Sequence, residues 1–198
     1  MDSVRDAVWR AIHAIPQDFW WRLTWLGDSG LLLPIAGLVA VWLASSRRTW
    51  PAGALWVVIF GAASSLVLLS KLAFLGWGVG SARFNFTGIS GHTMLSASVW
   101  PVALWLLASR GTHELRVGLA VFGWLLAACI GVSRLAIYAH SGSEVAAGYL
   151  LGVLASASFL ALQRHMGHPR LRASLVALSL MLPLLQLQPG HAAPTHGL

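Results

Sequence analysis

The stretch SRLAIYAHSGSE, at positions 133–144, contains residues whose types and spacing can support chemistry. His140 and Glu144 are four residues apart, so on a helix they share one face. A carboxylate in that position can accept a hydrogen bond from one imidazole nitrogen and leave the other nitrogen unprotonated and directed outward. The spacing therefore predicts an activated imidazole that acts as a nucleophile or a base. The alternative is an exposed, solvated pair.

A second polar group comes directly before an apolar stretch, in FTGISGHTMLSASVW at positions 86–100. Ser90 and Gly91 at the start of a helix offer backbone N–H groups and a positive helix end, which suit an anion. Ser90 has the alternative role of a helix cap. His92, in the first turn, is a candidate proton donor beside that anion.

Two cations complete the set of candidate residues. Lys71 and Arg134 can neutralise a phosphoryl group while one histidine attacks and the other protonates the leaving oxygen. Because these side chains supply the positive charge, we predict neither a metal site nor a cofactor. Each cation taken singly has a simpler explanation, since long basic side chains snorkel from helix ends. The presence of both cations together with the two histidines favours a functional site, because ionisable residues at membrane depth usually mark one.

The composition indicates which elements must position these residues. Hydrophobic residues make up 57% of the 198, charged residues make up only 10%, and the mean hydropathy is +0.72. A soluble domain carries about a quarter charged residues, so the lipid bilayer is the expected solvent. We predict an all-α integral membrane bundle of about six transmembrane helices, of which the first, third and sixth are shorter than the roughly 20 residues that a span requires. The predicted spans are Leu31–Ser46, Ala52–Leu75, Thr93–Ser109, Val117–Val132, Val145–Gln163 and Ala173–Leu187.

Small residues within these spans carry packing information. Gly148 and Gly152 continue the face of Glu144 at four-residue intervals, which predicts close approach to a neighbouring helix. Cys129 lies inside an apolar run and is predicted to be a small buried hydrophobe.

The chain divides into three predicted parts. Residues 1–30 are rich in tryptophan and interrupted by Asp18, Arg22 and Asp28, which favours an amphipathic segment at the membrane interface over an extension of the first span. Residues 31–188 form the transmembrane domain. Residues 189–198 are predicted to be a disordered tail.

The positive charge is distributed asymmetrically along the predicted spans. Alternating spans place seven arginines on one side, which the positive-inside rule makes cytoplasmic. The net charge of +7 is therefore a topology signal, and we predict no nucleic-acid partner. The candidate site residues all fall on the opposite, outer side. The seven arginines are Arg47, Arg48, Arg110, Arg116, Arg164, Arg170 and Arg172.

With these residues in place, the sequence over positions 71–144 resembles the type 2 phosphatidic acid phosphatase superfamily. The third family motif, Ser-Arg-x5-His-x3-Asp, matches the stretch from Ser133 to Glu144 with its spacing intact, with glutamate at the aspartate position. The second motif, Pro-Ser-Gly-His, matches the stretch that ends at His92, with Ile89 in place of proline.

The first family motif, Lys-x6-Arg-Pro, is changed. Lys71 is in the right place, but Gly78 and Val79 stand where arginine and proline belong. Arg83 lies further along a glycine-containing loop, and it either folds back to supply the missing charge or is a surface residue.

The resemblance implies a role for each candidate residue. His140 is the implied nucleophile that forms a phosphohistidine, Glu144 orients it, and His92 protonates the leaving oxygen. The groups implied to bind the phosphoryl group are Lys71, Ser90, the Gly91 amide, Arg134 and Arg83.

The expected function is that of a metal-independent lipid phosphatase. It hydrolyses a phosphomonoester or pyrophosphate of a membrane lipid, and the candidates are polyprenyl pyrophosphate, phosphatidylglycerophosphate, phosphatidate and lipid A phosphate. The alternatives are a lipid phosphotransferase of the same superfamily and a non-catalytic binder or transporter of anionic lipid. We expect a multi-pass protein of a bacterial cytoplasmic membrane, with its active site on the outer face.

Overall fold

A computed structural model describes residues 14–166 and 176–181, together with residues 6, 9, 10 and 12. This part of the chain is helical and contains no β-strand, only an isolated antiparallel bridge between Ser81 and Phe86. The predicted all-α class is therefore confirmed. The helices are α1 (Gln17–Trp25), α2 (Ser29–Ala44), α3 (Trp50–Trp77), α4 (Gly91–Leu107), α5 (His113–Ala136) and α6 (Gly142–Gln163), with a short 3-10 helix at Ala82–Phe84.

Helix α4 forms the centre of the bundle. Nearly every residue from Thr93 to Leu106 is buried, and the helix packs against α2, α3, α5 and α6. The surrounding helices turn apolar side chains outward, as the exposed Leu69, Phe122 and Leu154 illustrate. A helix that is apolar on both its inner and outer faces is expected where lipid surrounds the bundle.

Four stretches of the described residues are long and apolar enough to cross a membrane. One of them, Gln17–Ala44, includes α1, α2 and the short turn between them, and the others are α3, α5 and α6. Helix α4, with 17 residues, corresponds to the third predicted span but is shorter than these. Of the sixth predicted span, residues 176–181 are helical and the rest lies outside the described residues, so the count of six remains a prediction.

The predicted limits of the spans differ from the observed helices by a few residues because polar capping groups belong to the helices. Helix α5, for example, begins at His113, where the Thr112 hydroxyl accepts a hydrogen bond from the Leu115 amide. The prediction for Cys129 was wrong. This residue is exposed on the outward face of α5, because the apolar run that surrounds it faces away from the bundle as well as into it.

Glycines on α6 allow it to lie directly against α4, as predicted. A Cβ atom on Gly148 would lie 2.6 Å from the Ser90 carbonyl oxygen, and one on Gly152 would lie 2.5 Å from that of Met94. Backbone contact at these distances leaves no room for a side chain. This close approach brings the start of α6 beside the start of α4.

The turn between α1 and α2 is held between α4 and α5. The Trp100 indole N–H donates to the Leu26 carbonyl oxygen at 3.0 Å, and Gly27 lies against Ile130 and Ser96. The end of α1 and the start of α2 therefore reach the same end of the bundle as the starts of α4 and α6.

Candidate active site

The His140–Glu144 pair is built by the connection between α5 and α6. Ser141 and Glu144 form a capping box, in which the Ser141 hydroxyl accepts from the Glu144 amide at 3.3 Å and Glu144 Oε2 accepts from the Ser141 amide at 3.2 Å. The same Oε2 lies 2.8 Å from His140 Nδ1. Because an ionised carboxylate only accepts, Nδ1 donates and Nε2 is left unprotonated. Glu144 is buried, which excludes the exposed, solvated pair.

The second oxygen of Glu144 is bound by the loop that precedes α4. Both the Thr87 amide, at 2.7 Å, and the Thr87 hydroxyl, at 2.6 Å, donate to Glu144 Oε1. The same loop is attached to α6 by the Ser143 hydroxyl, which donates to the Phe84 carbonyl oxygen at 2.8 Å. The carboxylate that orients His140 is thus fixed through both of its oxygens.

His140 lies in the connection between two helices and is partly buried. Burial lowers the pKa of its imidazole, while the hydrogen bond and negative charge of Glu144 raise it and the positive charges of Arg134 and Lys71 lower it. The net effect is a pKa below the ordinary histidine value. The neutral ring, which is the form that can attack an electrophile, is therefore the dominant form at neutral pH.

Arg134 lies near the end of α5 and is 6% exposed. One of its terminal nitrogens donates to the Thr24 hydroxyl of α1 at 3.0 Å, and its buried Nε has no hydrogen-bond partner among the described groups. Asp28 is close enough for its charge to act on this guanidinium. A buried arginine with unused donors is suited to bind an oxyanion.

His92, in the first turn of α4, faces a carboxylate from the N-terminal part of the chain. Its Nε2 lies 3.7 Å from Asp28 Oδ2, and the other Asp28 oxygen accepts from the Gly30 amide at 2.7 Å to cap α2. The charges of His140 and Arg134 also act on His92, so both histidines belong to one cluster.

Ser90 and Gly91 occupy the start of α4 as predicted, but the Ser90 side chain does not cap the helix. Its hydroxyl is fully buried and bonds the Thr93 hydroxyl at 2.9 Å, because contact with α6 holds it inside the bundle. Gly91 is partly exposed, and amides of the first helical turn have no partner within the helix. Binding of phosphate by the Gly91 amide and by Ser90 stays a prediction.

Lys71 lies near the end of α3, beside the loop that carries Thr87. A Cβ atom on Gly88 of that loop would lie 3.1 Å from Lys71 Cγ, and the Ile89 amide donates to the Ser70 hydroxyl at 3.1 Å. The Lys71 charge acts on His140, which places it at the same end of the bundle.

Arg83 is exposed in the 3-10 helix, with its guanidinium 5.6 Å from the centre of the Phe84 ring. This position agrees with the surface alternative, and phosphate binding by Arg83 remains a prediction.

Three residues at this end of the bundle were missed by sequence reasoning. Thr24 and Asp28 contact Arg134 and His92, and Thr87 contacts Glu144. The sequence could have indicated Asp28 as a site residue, since it comes just before a helix on the predicted outer side. No such signal marked Thr24 and Thr87, because a lone threonine in a sequence does not show which distant group it bonds. Among the described residues, no three His, Cys, Asp or Glu side chains are placed to hold a metal ion.

Comparison with known proteins places this chain in a family. The model of the PAP2 superfamily matches residues 75–166. An uncharacterized 22.5 kDa protein in the cps region of Klebsiella pneumoniae is 42% identical over 182 residues, which cover 90% of this chain and 87% of that protein. The chain belongs to the PAP2 superfamily, and the resemblance seen in its motifs is confirmed.

Two further relatives have names that state an activity. Phosphatidylglycerophosphatase B of Bacillus subtilis is 29% identical over 145 residues, which cover 67% of this chain and 68% of that protein. The crystal structure of a transmembrane PAP2 type phosphatidylglycerolphosphate phosphatase from Bacillus subtilis shares the fold, with a TM-score of 0.62 and 24% identity over 86% of this chain and 89% of that one. These homologues and the apolar helices support a phosphatase that is a multi-pass membrane protein.

Proposed function

We propose that the protein hydrolyses a phosphomonoester or pyrophosphate of a membrane lipid through a phosphohistidine on His140. The observation that carries the proposal is the 2.8 Å contact between His140 Nδ1 and Glu144 Oε2, which leaves Nε2 available for attack. The cations Lys71 and Arg134 and the second histidine, His92, lie at the same end of the bundle. Their charges act on one or both histidines.

In the first half of the reaction, the lone pair on His140 Nε2 attacks phosphorus and the bond to the leaving oxygen breaks. His92 gives its proton to that oxygen, while the Nδ1 proton of His140 stays hydrogen-bonded to Glu144. Lys71, Arg134 and the amide of Gly91 stabilise the charge on the phosphoryl oxygens. In the second half, His92 takes a proton from water, the oxygen attacks phosphorus, and the P–N bond breaks to release phosphate.

Lys71 and Arg134 supply the positive charge that a metal ion supplies in other phosphatases. The proposal is therefore metal-independent. EDTA at a concentration that strips divalent cations should leave turnover within about twofold, since charge stabilisation comes from side chains. Strong inhibition that added divalent cation reverses would contradict this part of the proposal.

The substrate class follows from the depth of the site. It lies at the ends of apolar helices, where a lipid can leave its chains in the bilayer while its phosphate reaches His140. Phosphatidylglycerophosphate is the first substrate to test, because a relative carries its name. Phosphatidate, polyprenyl pyrophosphate and lipid A phosphate complete the panel.

The proposal also assigns a role to each part of the chain. Residues 31–188 carry the phosphatase domain, while the interfacial segment 1–30 adds Thr24 and Asp28 to the site. Because the arginine-rich loops mark the cytoplasmic side, the site faces the outer side of a bacterial cytoplasmic membrane.

The decisive experiment measures phosphate release from the lipid panel by the purified protein in detergent. His140→Ala should lose all turnover above background, because it removes the nitrogen that attacks phosphorus in this mechanism. A binder or transporter would release no phosphate even as the unaltered protein. Turnover by His140→Ala equal to that of the unaltered protein would exclude the phosphohistidine mechanism. Transfer of phosphate to an added lipid alcohol in place of water would identify a phosphotransferase instead.

A further inference from the structure

Thr87 makes an unusual pair of contacts for a loop residue. Its amide and its hydroxyl both donate to the same atom, Glu144 Oε1, at 2.7 and 2.6 Å. The other carboxylate oxygen, Oε2, accepts from His140 Nδ1 and from the Ser141 amide. All four hydrogen bonds that a carboxylate can readily accept are therefore made.

The length of the glutamate side chain explains why such contacts matter here. Glutamate has one more rotatable bond than aspartate. Its side chain therefore loses more conformational freedom when the carboxylate is fixed against a histidine. A carboxylate is rigid and planar, and holding Oε1 in place therefore fixes the direction of Oε2. The hydrogen bonds from Thr87 remove the freedom that the additional methylene gives to Glu144.

The loop around Thr87 is attached to the elements on both of its sides. On the side of α6, the Ser90 amide donates to the Glu144 carbonyl oxygen at 3.2 Å and the Ser143 hydroxyl donates to the Phe84 carbonyl oxygen at 2.8 Å. On the side of α3, the Ile89 amide donates to the Ser70 hydroxyl at 3.1 Å. Thr87 is consequently presented to Glu144 by a loop whose backbone is itself held in place.

We propose that Thr87 is a positioning residue for His140 that acts through Glu144, so that threonine and glutamate together orient the nucleophile. The inference rests on the proposed function. It adds a residue from the loop before α4 to the machinery of the nucleophile, and it predicts that the importance of Thr87 depends on the length of the carboxylate at position 144.

The first test compares Thr87→Val with Thr87→Ser in phosphate release from a lipid phosphate. Valine has nearly the shape of threonine and keeps the backbone amide but lacks the hydroxyl, so kcat should fall about tenfold, the effect of one hydrogen bond to a charged group. KM should stay within about twofold, because the Thr87 hydroxyl is already hydrogen-bonded to Glu144. Serine restores the hydroxyl and should restore kcat to within about threefold. An unchanged kcat in Thr87→Val, or a change confined to KM, overturns the proposal.

The second test repeats Thr87→Val in a Glu144→Asp background. Aspartate is one methylene shorter and has one rotatable bond fewer, so by this proposal the threonine hydroxyl should matter much less for orienting His140. We expect Thr87→Val to change kcat less than threefold when position 144 is aspartate. Equal losses in the two backgrounds would show that Thr87 acts independently of Glu144, which overturns the proposal.

The third test does not depend on turnover. Loss of a donor to Oε1 makes Glu144 a stronger acceptor, which stabilises the protonated His140 ring. The titration of ring-labelled histidine, followed by NMR in detergent and assigned with His140→Gln, should therefore move to higher pH in Thr87→Val. Arg134, Lys71 and His92, which also interact electrostatically with this ring, are the same in both proteins. If even the unaltered protein releases no phosphate, the proposed function fails, and an unshifted His140 titration then separately overturns the role of Thr87.

Discussion

Among single residues, His140 is subject to opposing influences from its neighbours. Burial and two cations favour its neutral form, while Glu144 favours the protonated form. Thr87 and Ser141 hold Glu144 so that its charge falls on Nδ1 and not on Nε2. The proposed nucleophile is thus kept both neutral and correctly directed by groups from three different parts of the chain.

The pH dependence of kcat/KM provides a prediction about this balance. Because the pKa of His140 is lowered, the acid limb should have its midpoint below the ordinary histidine value of about 6.5, with activity lost as the pH falls through the pKa and the ring protonates. Glu144→Gln removes the group that raises the pKa, so the limb should move to lower pH while kcat falls. Lys71→Gln removes a cation that lowers the pKa, so the limb should move to higher pH. Shifts in the reverse directions would contradict the assignment.

Asp28 provides a prediction about the proton donor. Asp28→Asn keeps the oxygen that caps α2 but removes the charge that faces His92. If this carboxylate orients His92 as an acid, kcat/KM for a lipid phosphate with a poor leaving group should fall about tenfold. The loss with p-nitrophenyl phosphate, whose leaving group needs no proton, should be less than about twofold. Equal losses with both substrates would indicate a structural role only.

At the level of helices, the sequence predicted the elements better than their contacts. Apolar runs marked α2, α3, α4, α5 and α6, because lipid and protein interior both select apolar side chains. For the same reason, hydrophobicity did not distinguish a lipid-facing residue such as Cys129 from a buried one. The spacing of Gly148 and Gly152 did predict close packing, since a missing side chain has a direct steric meaning.

Gly152 allows this packing to be measured. A Cβ atom there would lie 2.5 Å from the Met94 carbonyl oxygen and 2.7 Å from Ala97 Cβ, so Gly152→Ala must push α6 away from α4. We expect a loss of about 1–3 kcal/mol in the free energy of unfolding, seen as a Tm several degrees lower in detergent. Gly118→Ala in α5 is the matched control, because nothing lies within 4 Å of that position and alanine favours helix. A Tm that falls equally in both variants would contradict the proposed packing.

At the level of the whole molecule, the convergence of the site follows from the alternation of the helices across the membrane. Lys71, His92 and His140 are distant in sequence, but each lies next to a connection at the same end of the bundle. The contribution of the N-terminal segment could not be deduced in this way. The bond between Arg134 and Thr24 joins positions 110 residues apart, and only the packing of α1 against α5 creates it.

The same alternation predicts which side of the membrane the site faces, and cysteine labelling in intact bacterial cells can test it. In a Cys129→Ala background, Ala139→Cys adds one exposed thiol to the connection that carries His140, and Ser46→Cys adds one to the arginine-rich loop between α2 and α3. A membrane-impermeant maleimide should label position 139 in intact cells and position 46 only after permeabilisation, because arginine-rich loops are retained in the cytoplasm. The opposite pattern would place the site on the cytoplasmic side, where it would act on lipid of the inner leaflet. Labelling of both positions in intact cells would show that the two loops do not lie on opposite sides, and would contradict the membrane arrangement as a whole.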